Sequence, residues 1–143
     1  MLSLDEALRL YFKRDRLAEM LGIEILEFGN GNARTRMAIE DKHLNGLDIV
    51  HGGVIFGLGD FTFAVASNSH GTVAVAIHTD CSFVKAITSG VLYADAKEVS
   101  RSPKIGTYNI TITDDTGATV ALFHGVAYCK KETIAEHVSK PRP

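Results

Sequence analysis

HGGVIFGLGDFTFAVASNSH, residues 51 to 70, is the stretch whose reading decides the fold. Between its two histidines the one formal charge is Asp60. Val54, Ile55, Phe56, Leu58, Phe61, Phe63, Ala64, Val65 and Ala66 surround that charge on every side of a helical projection. Apolar on all sides, the stretch reads as a buried helix, with Gly52 and Gly53 in its first turn. A membrane span fits poorly, because glycines and hydroxyl residues thin the apolar run and Asp60 would sit near mid-bilayer. A carboxylate inside a buried helix costs free energy unless it is paired or used. Asp60 therefore reads as a working group, with a structural cap for a neighbouring element as the plainer alternative.

Working outward, the N-terminal side opens with SLDEALRLYFKRDRLAEM, residues 3 to 20, which carries a Ser3-x-x-Glu6 capping box and helical apolar spacing. One amphipathic helix is expected there, ended by Gly22. Ile23 to Phe28 and Ala33 to Ile39 read as strands joined through Gly29-Asn30-Gly31-Asn32. Residues 40 to 50 form a polar loop that feeds the central helix. On the C-terminal side, Gly71 suits a helix end. Strands are expected at Thr72 to Val84, Val91 to Val99, Thr107 to Thr113 and Thr119 to Cys129. The tail from 130 to 143 is polar and is expected to fray.

The order is therefore helix, two strands, buried helix, four strands. The fold class is α+β. An antiparallel sheet must curl around the long central helix to bury it, with the amphipathic N-terminal helix beside it. The 143 residues suit a single domain. With 45% apolar and 22% charged residues and a net charge of −2, the chain is an ordinary globular one. No basic block points to nucleic acid. No charged-then-apolar leader opens the chain, and Cys81 and Cys129 lack CxxC spacing. Both features fit a cytoplasmic protein with free thiols. The six histidines form no metal-ligand pair, so neither a metal nor another cofactor is expected.

The segment LNGLDIVHGGVIFGLGDFTFAVASNSHG, with His51-Gly52-Gly53 followed by Asp60, resembles the hotdog-fold acyl-CoA thioesterases of the phenylacetate-pathway (PaaI-like) type. The later TVALFHGVAYC is similar to the closing strand of that family. The resemblance implies a hotdog fold, an acyl-CoA substrate, and a homodimer or dimer of dimers. It implies Asp60 as the catalytic carboxylate, the Gly52 N–H as holder of the thioester oxygen, and Asn45 assisting. Some relatives add a hydroxyl residue on the strand after the helix. The region here is Ala76-Ile77-His78-Thr79, where that hydroxyl has no secure counterpart.

The residues support this chemistry in their own right. A helix N-terminus offers free N–H groups and a positive dipole end for an oxyanion. Gly52 and Gly53 let a substrate approach that backbone. Asp60 can activate water as a base or attack directly. His51 either orients the thioester or fixes the turn. Asn45 either polarises the carbonyl or serves the Asn45-Gly46 turn. Phe56, with Phe61 and Phe63, lines an acyl pocket or fills core. Arg101, Ser102, Lys104 and Lys85 hold CoA phosphates or solvate strand ends. His78 and His124 lie in strands and read as structural. A hydratase of the same superfamily pairs its Asp with a His five residues on, and position 65 here is Val65. A non-catalytic acyl-CoA-binding protein is the other alternative, though pure binding gains nothing from a buried acid. Finally, Gly52 and Asp60 are separated by about 12 Å along a helix of 1.5 Å rise. One helix can hardly bring both to one thioester, so active sites at a dimer interface are expected.

Overall fold

The computed structural model describes residues 1–143. It begins with helix α1 (Leu4–Lys13), started by the expected capping box: Ser3 Oγ accepts from the Glu6 N–H, and the Glu6 carboxylate accepts from the Ser3 N–H. The single N-terminal helix expected to Met20 is in fact two, because α2 (Arg16–Leu21) starts afresh. The break falls at Asp15, whose backbone is extended and whose Oδ1 accepts from the Ala18 N–H at 3.0 Å. A side chain that caps a new helix competes with continuing the old one. The preceding Arg14 donates to the Val138 carbonyl at 3.0 Å, a contact no local periodicity could announce.

Strands β1 (Ile23–Gly29) and β2 (Asn32–Ala38) pair as a hairpin. Its two loop residues, Asn30 and Gly31, both have positive φ, 52° and 82°, as a two-residue hairpin turn requires. A Cβ at Gly31 would collide with Glu98, so both backbone and packing demand glycine there. The segment before the central helix is less loose than expected. It contains a 3-10 turn, Asp41–His43, and a short bridge between Leu44 and Val50. His43 is wholly buried: its Nδ1 accepts from the Glu40 N–H, which leaves Nε2–H to donate to the Leu21 carbonyl at 2.9 Å.

Helix α3 (Gly52–Asn68) is followed by β3 (Thr72–Phe83), β4 (Val91–Arg101), β5 (Ile105–Thr113) and β6 (Thr119–Thr133). All six strands join one antiparallel sheet in the order β1-β2-β4-β5-β6-β3, and α3 touches every one of them. This is the helix-in-sheet layout expected of a hotdog fold. Helix and sheet approach closely through reciprocal glycines. Added Cβ atoms would meet the Phe123 ring at 2.8 Å from Gly59, and the Phe63 ring at 2.8 Å from Gly125. Among the buried hydroxyls, Thr62 of α3 is fully satisfied: it donates to the Leu58 carbonyl and bonds Thr35 Oγ1, both at 2.7 Å.

The tail expected to fray from residue 130 is ordered further. Strand β6 runs four residues past Cys129, and α4 (Ile134–Val138) follows with Thr133 as its cap. Ile134 and Val138 are buried, and His137 stacks edge-on to Tyr11 of α1 at 5.7 Å. Packing on α1 supplies what the polar composition of the tail hides.

Two surfaces are left uncovered. On α3, Gly53, Phe56, Asp60 and Ala64 are at least partly exposed, and they fall within a stripe of about 80° on a helix of 3.6 residues per turn. Along the sheet, β3 is an edge strand, and from Val75 onward its residues are exposed or half-exposed on both faces. Ile77 and Phe83 are among them, at 57% and 53% exposure. A long edge strand bare on both faces is one that proteins normally cover.

Candidate active site

The first turn of α3 is finished by its own N-cap, with one donor left over. His51 lies outside the helical region, at φ −60° and ψ 134°, and its Nδ1 accepts from the Gly53 N–H at 2.8 Å. The His51 carbonyl accepts from the N–H groups of Val54, at 2.9 Å, and Ile55, at 3.2 Å. No hydrogen bond uses the Gly52 N–H. Of the donors that a helix start leaves orphaned, Gly52 supplies the free one, at the positive end of the dipole. Gly53 serves the cap: a Cβ there would press on His51 Nδ1 at 3.1 Å. His51 thus fixes the turn, and a neutral ring accepting at Nδ1 carries its proton on the exposed Nε2.

Asn45 serves the turn that its sequence context allowed. Its Oδ1 accepts from the Leu47 N–H at 2.9 Å and from the Ile49 N–H at 3.4 Å, closing the turn. Its side-chain amide donates to nothing within the chain. Asn45 and Gly52 share a pocket of about 320 Å³, walled by Ile55, Phe83, Lys85 and Ile87. An N–H donor and a free amide therefore lie at one opening with apolar walls. Lys85 stands there too, but its charge is answered by Asp114. The hydrogen bonds from Lys85 and Thr116 hold the Asp114 carboxyl well below the usual carboxylate range.

Asp60 is half-buried on the uncovered stripe of α3 and engages in no hydrogen bond or ion pair. Burial raises its carboxyl above the ordinary value, and the nearby Asp15 charge raises it further. It does not line the pocket of Asn45 and Gly52. In an unbroken helix the two positions are about 12 Å apart along the axis.

The remaining candidates scatter. The Phe56 ring packs on Phe123 at 5.1 Å and is partly buried. Arg101 donates to Thr72 Oγ1 at 3.3 Å, which places it at the C-terminal end of α3. Ser102 closes the β4–β5 turn, accepting from the Ile105 N–H at 3.1 Å, and exposed Lys104 follows in the same turn. That end lies about 24 Å from Gly52 along the helix, so one chain does not bring Arg101, Ser102 and Lys104 to the Asn45–Gly52 pocket. His78 contacts Asp80 and His124 contacts Asn109, both on the sheet. Two neighbours of these groups went unread in the sequence. Phe83 stands over Gly52, 3.5 Å from where a Cβ would be, and only the path of β3 puts it there. Asp15 bears on Asp60, and its signal was the acid that interrupts an otherwise regular amphipathic helix.

Comparison with known proteins gives a consistent picture. The thioesterase superfamily model matches residues 47–121. A protein of Archaeoglobus fulgidus is 41% identical over 118 residues, covering 82% of this chain and 77% of its own length. The acyl-coenzyme A thioesterase PaaI of Escherichia coli is 36% identical over 118 residues, covering 82% of this chain and 84% of its own length. The structure of the E. coli PaaI protein from the phenylacetic acid degradation operon superposes with a TM-score of 0.85, at 32% identity, covering 92% of this chain and 99% of that one.

Proposed function

The chain belongs to the thioesterase superfamily, and we propose that it hydrolyses acyl-CoA thioesters to the free acid and CoA. The observation that carries the mechanism is Asp60, an unpaired, half-buried carboxylate on the open stripe of an otherwise buried helix. In this reading the thioester carbonyl oxygen sits against the Gly52 N–H, with the Asn45 amide beside it. Water adds to the carbonyl carbon as Asp60 takes its proton, or Asp60 itself attacks and water resolves the resulting anhydride. The negative charge that develops on the carbonyl oxygen is met by the Gly52 N–H and the helix dipole. Collapse of the tetrahedral intermediate expels the CoA thiolate. Asp60 works only when ionised, so the rate falls as pH drops through its raised pKa.

The site is composite in this reading. The axial gap between Gly52 and Asp60 is too long for one carbonyl group. Two α3 helices running antiparallel about a two-fold axis set the N-terminus of each against the middle of its partner. A homodimer of this kind also covers the bare stripe of α3 and the bare edge strand β3. Asp60→Asn tests the chemistry. Asn matches Asp in shape but serves neither as base nor as nucleophile at neutral pH. Thiol release from a panel of aryl-, short- and long-chain acyl-CoAs should drop by about 10²–10⁴, with the melting temperature and CoA binding retained. Wild-type turnover in this variant would remove Asp60 from the mechanism. A wild-type protein that binds acyl-CoA without releasing thiol would be a binding module instead.

A further inference from the structure

The elbow between α1 and α2 lies across α3 beside Asp60. Added Cβ atoms show how close it comes: from Gly57, one would meet Leu21 at 3.1 Å and Leu17 at 4.0 Å. Phe12 sets its ring edge-on to Phe61 at 6.5 Å. Asp15, at the elbow itself, lines a cleft of about 160 Å³ that also includes Phe61 and Ala64. On a helix of 3.6 residues per turn, Asp60 falls about 40° from Ala64 and about 60° from Gly57. It therefore stands at the rim of the face that the elbow covers.

Asp15 is held in place by capping α2 through Oδ1, which leaves Oδ2 without a partner in the chain. Other charged and titratable groups border this face too, and the Tyr11 side chain shares the smaller cleft with Asp15. Arg14 is committed to the Val138 carbonyl. Arg9 pairs with Asp5 and lies over the Phe28 ring. Lys13 and Glu19 line a second cleft of about 590 Å³ that Asp15 and Phe61 also line, and β1 contributes only Ile23 and Ile25 to it. From β2, the group that meets α3 is Thr35, bonded to Thr62. No other charged residue lies on α3.

We propose that Asp15 is a positioning residue that acts through Asp60, a like-charged neighbour at the rim of the same face that adds to the effect of burial and moves the acid limb of hydrolysis to higher pH. The proposal rests on the reading of Asp60 as the reacting carboxylate. Two carboxylates near one another favour protonation of the more buried one, and the Asp15 charge does raise the Asp60 carboxyl. A stronger base at Asp60 follows, at the cost of an acid limb that starts at higher pH.

The test is the pH profile of kcat/KM for the full-length wild type, Asp15→Asn, Asp15→Ser and Glu19→Gln, on the best acyl-CoA of the panel. Asn and Ser both cap helices, so the melting temperature should hold. Removing the Asp15 charge should move the acid limb to lower pH in both variants. Asp15 is exposed, so the difference from wild type should narrow in about 1 M salt. Glu19→Gln, a charge removed one turn along the same helix, should leave the limb in place. An unmoved limb in both Asp15 variants overturns the proposal, and so does an equal shift in Glu19→Gln. Failure of the underlying reading looks different: it is turnover that survives Asp60→Asn.

Discussion

The two ends of α3 are finished in opposite ways. At the C-terminal end the polar groups are bound several times over. Asn68 donates to the carbonyls of Ala64 and Ala74 and accepts from the Ala74 N–H. Ser69 donates to the Ala66 carbonyl and accepts from the Gly31 N–H of the β1–β2 turn. His70 bonds Glu98 at 2.6 Å, and the Tyr108 hydroxyl donates to the same oxygen at 2.7 Å. Burial pushes the Glu98 carboxyl up, but these partners more than offset it and hold it below its ordinary value. At the N-terminal end, His51 caps one donor and its carbonyl takes two more, while the Gly52 N–H and the Asn45 amide stay open. One end anchors the helix to the sheet. The other leaves two donors without a partner in the chain, the pair that the proposed mechanism uses for the thioester oxygen.

The contrast can be broken most severely at Gly52. Proline is tolerated at the first position of a helix, and the ψ of 134° at His51 suits the residue before it. Gly52→Pro therefore deletes one N–H with little harm to the helix, and its ring also takes up space beneath Phe83 in the pocket. Turnover should fall by about 10²–10³, with the melting temperature nearly unchanged, as read by acyl-CoA hydrolysis beside thermal denaturation. At the other end the effect should reverse. Asn68→Ala strands the Ala74 N–H in a buried position and should cost about 1–3 kcal/mol of stability. Denaturant titration should show that loss, while turnover per folded molecule stays at the wild-type level.

Much of this contrast was legible in the sequence, and the parts that were not share a cause. The buried helix, the Asn30-Gly31 turn, the antiparallel strands and the isolated Asp60 all follow from local spacing and composition. The elbow at Asp15 escaped because Leu17 continues the apolar rhythm past it, while Arg14 is fixed by a residue 124 positions away. Helix α4 escaped because Lys130 and Lys131 made the tail look solvated, although Thr133-x-x-Glu136 and the Ile134/Val138 spacing were available signals. Arg101 and Lys104 were grouped with the site as free cations near a strand end. Which end of the sheet they occupy is set by the pairing register of β4 with β5 and by the Thr72 contact, neither of which spacing reveals.

The central claim is that each site takes its free N–H from one chain and its carboxylate from another. Subunit mixing tests it most directly. Gly52→Pro and Asp60→Asn homodimers are each impaired. Equal amounts, unfolded together and refolded, should give about half mixed dimers under isologous pairing. In each mixed dimer one site collects both defects and the other collects neither. About a quarter of wild-type activity should therefore return. If the mixture, after proven subunit exchange, has only the average activity of the two variants, the site lies within one chain and the account is wrong.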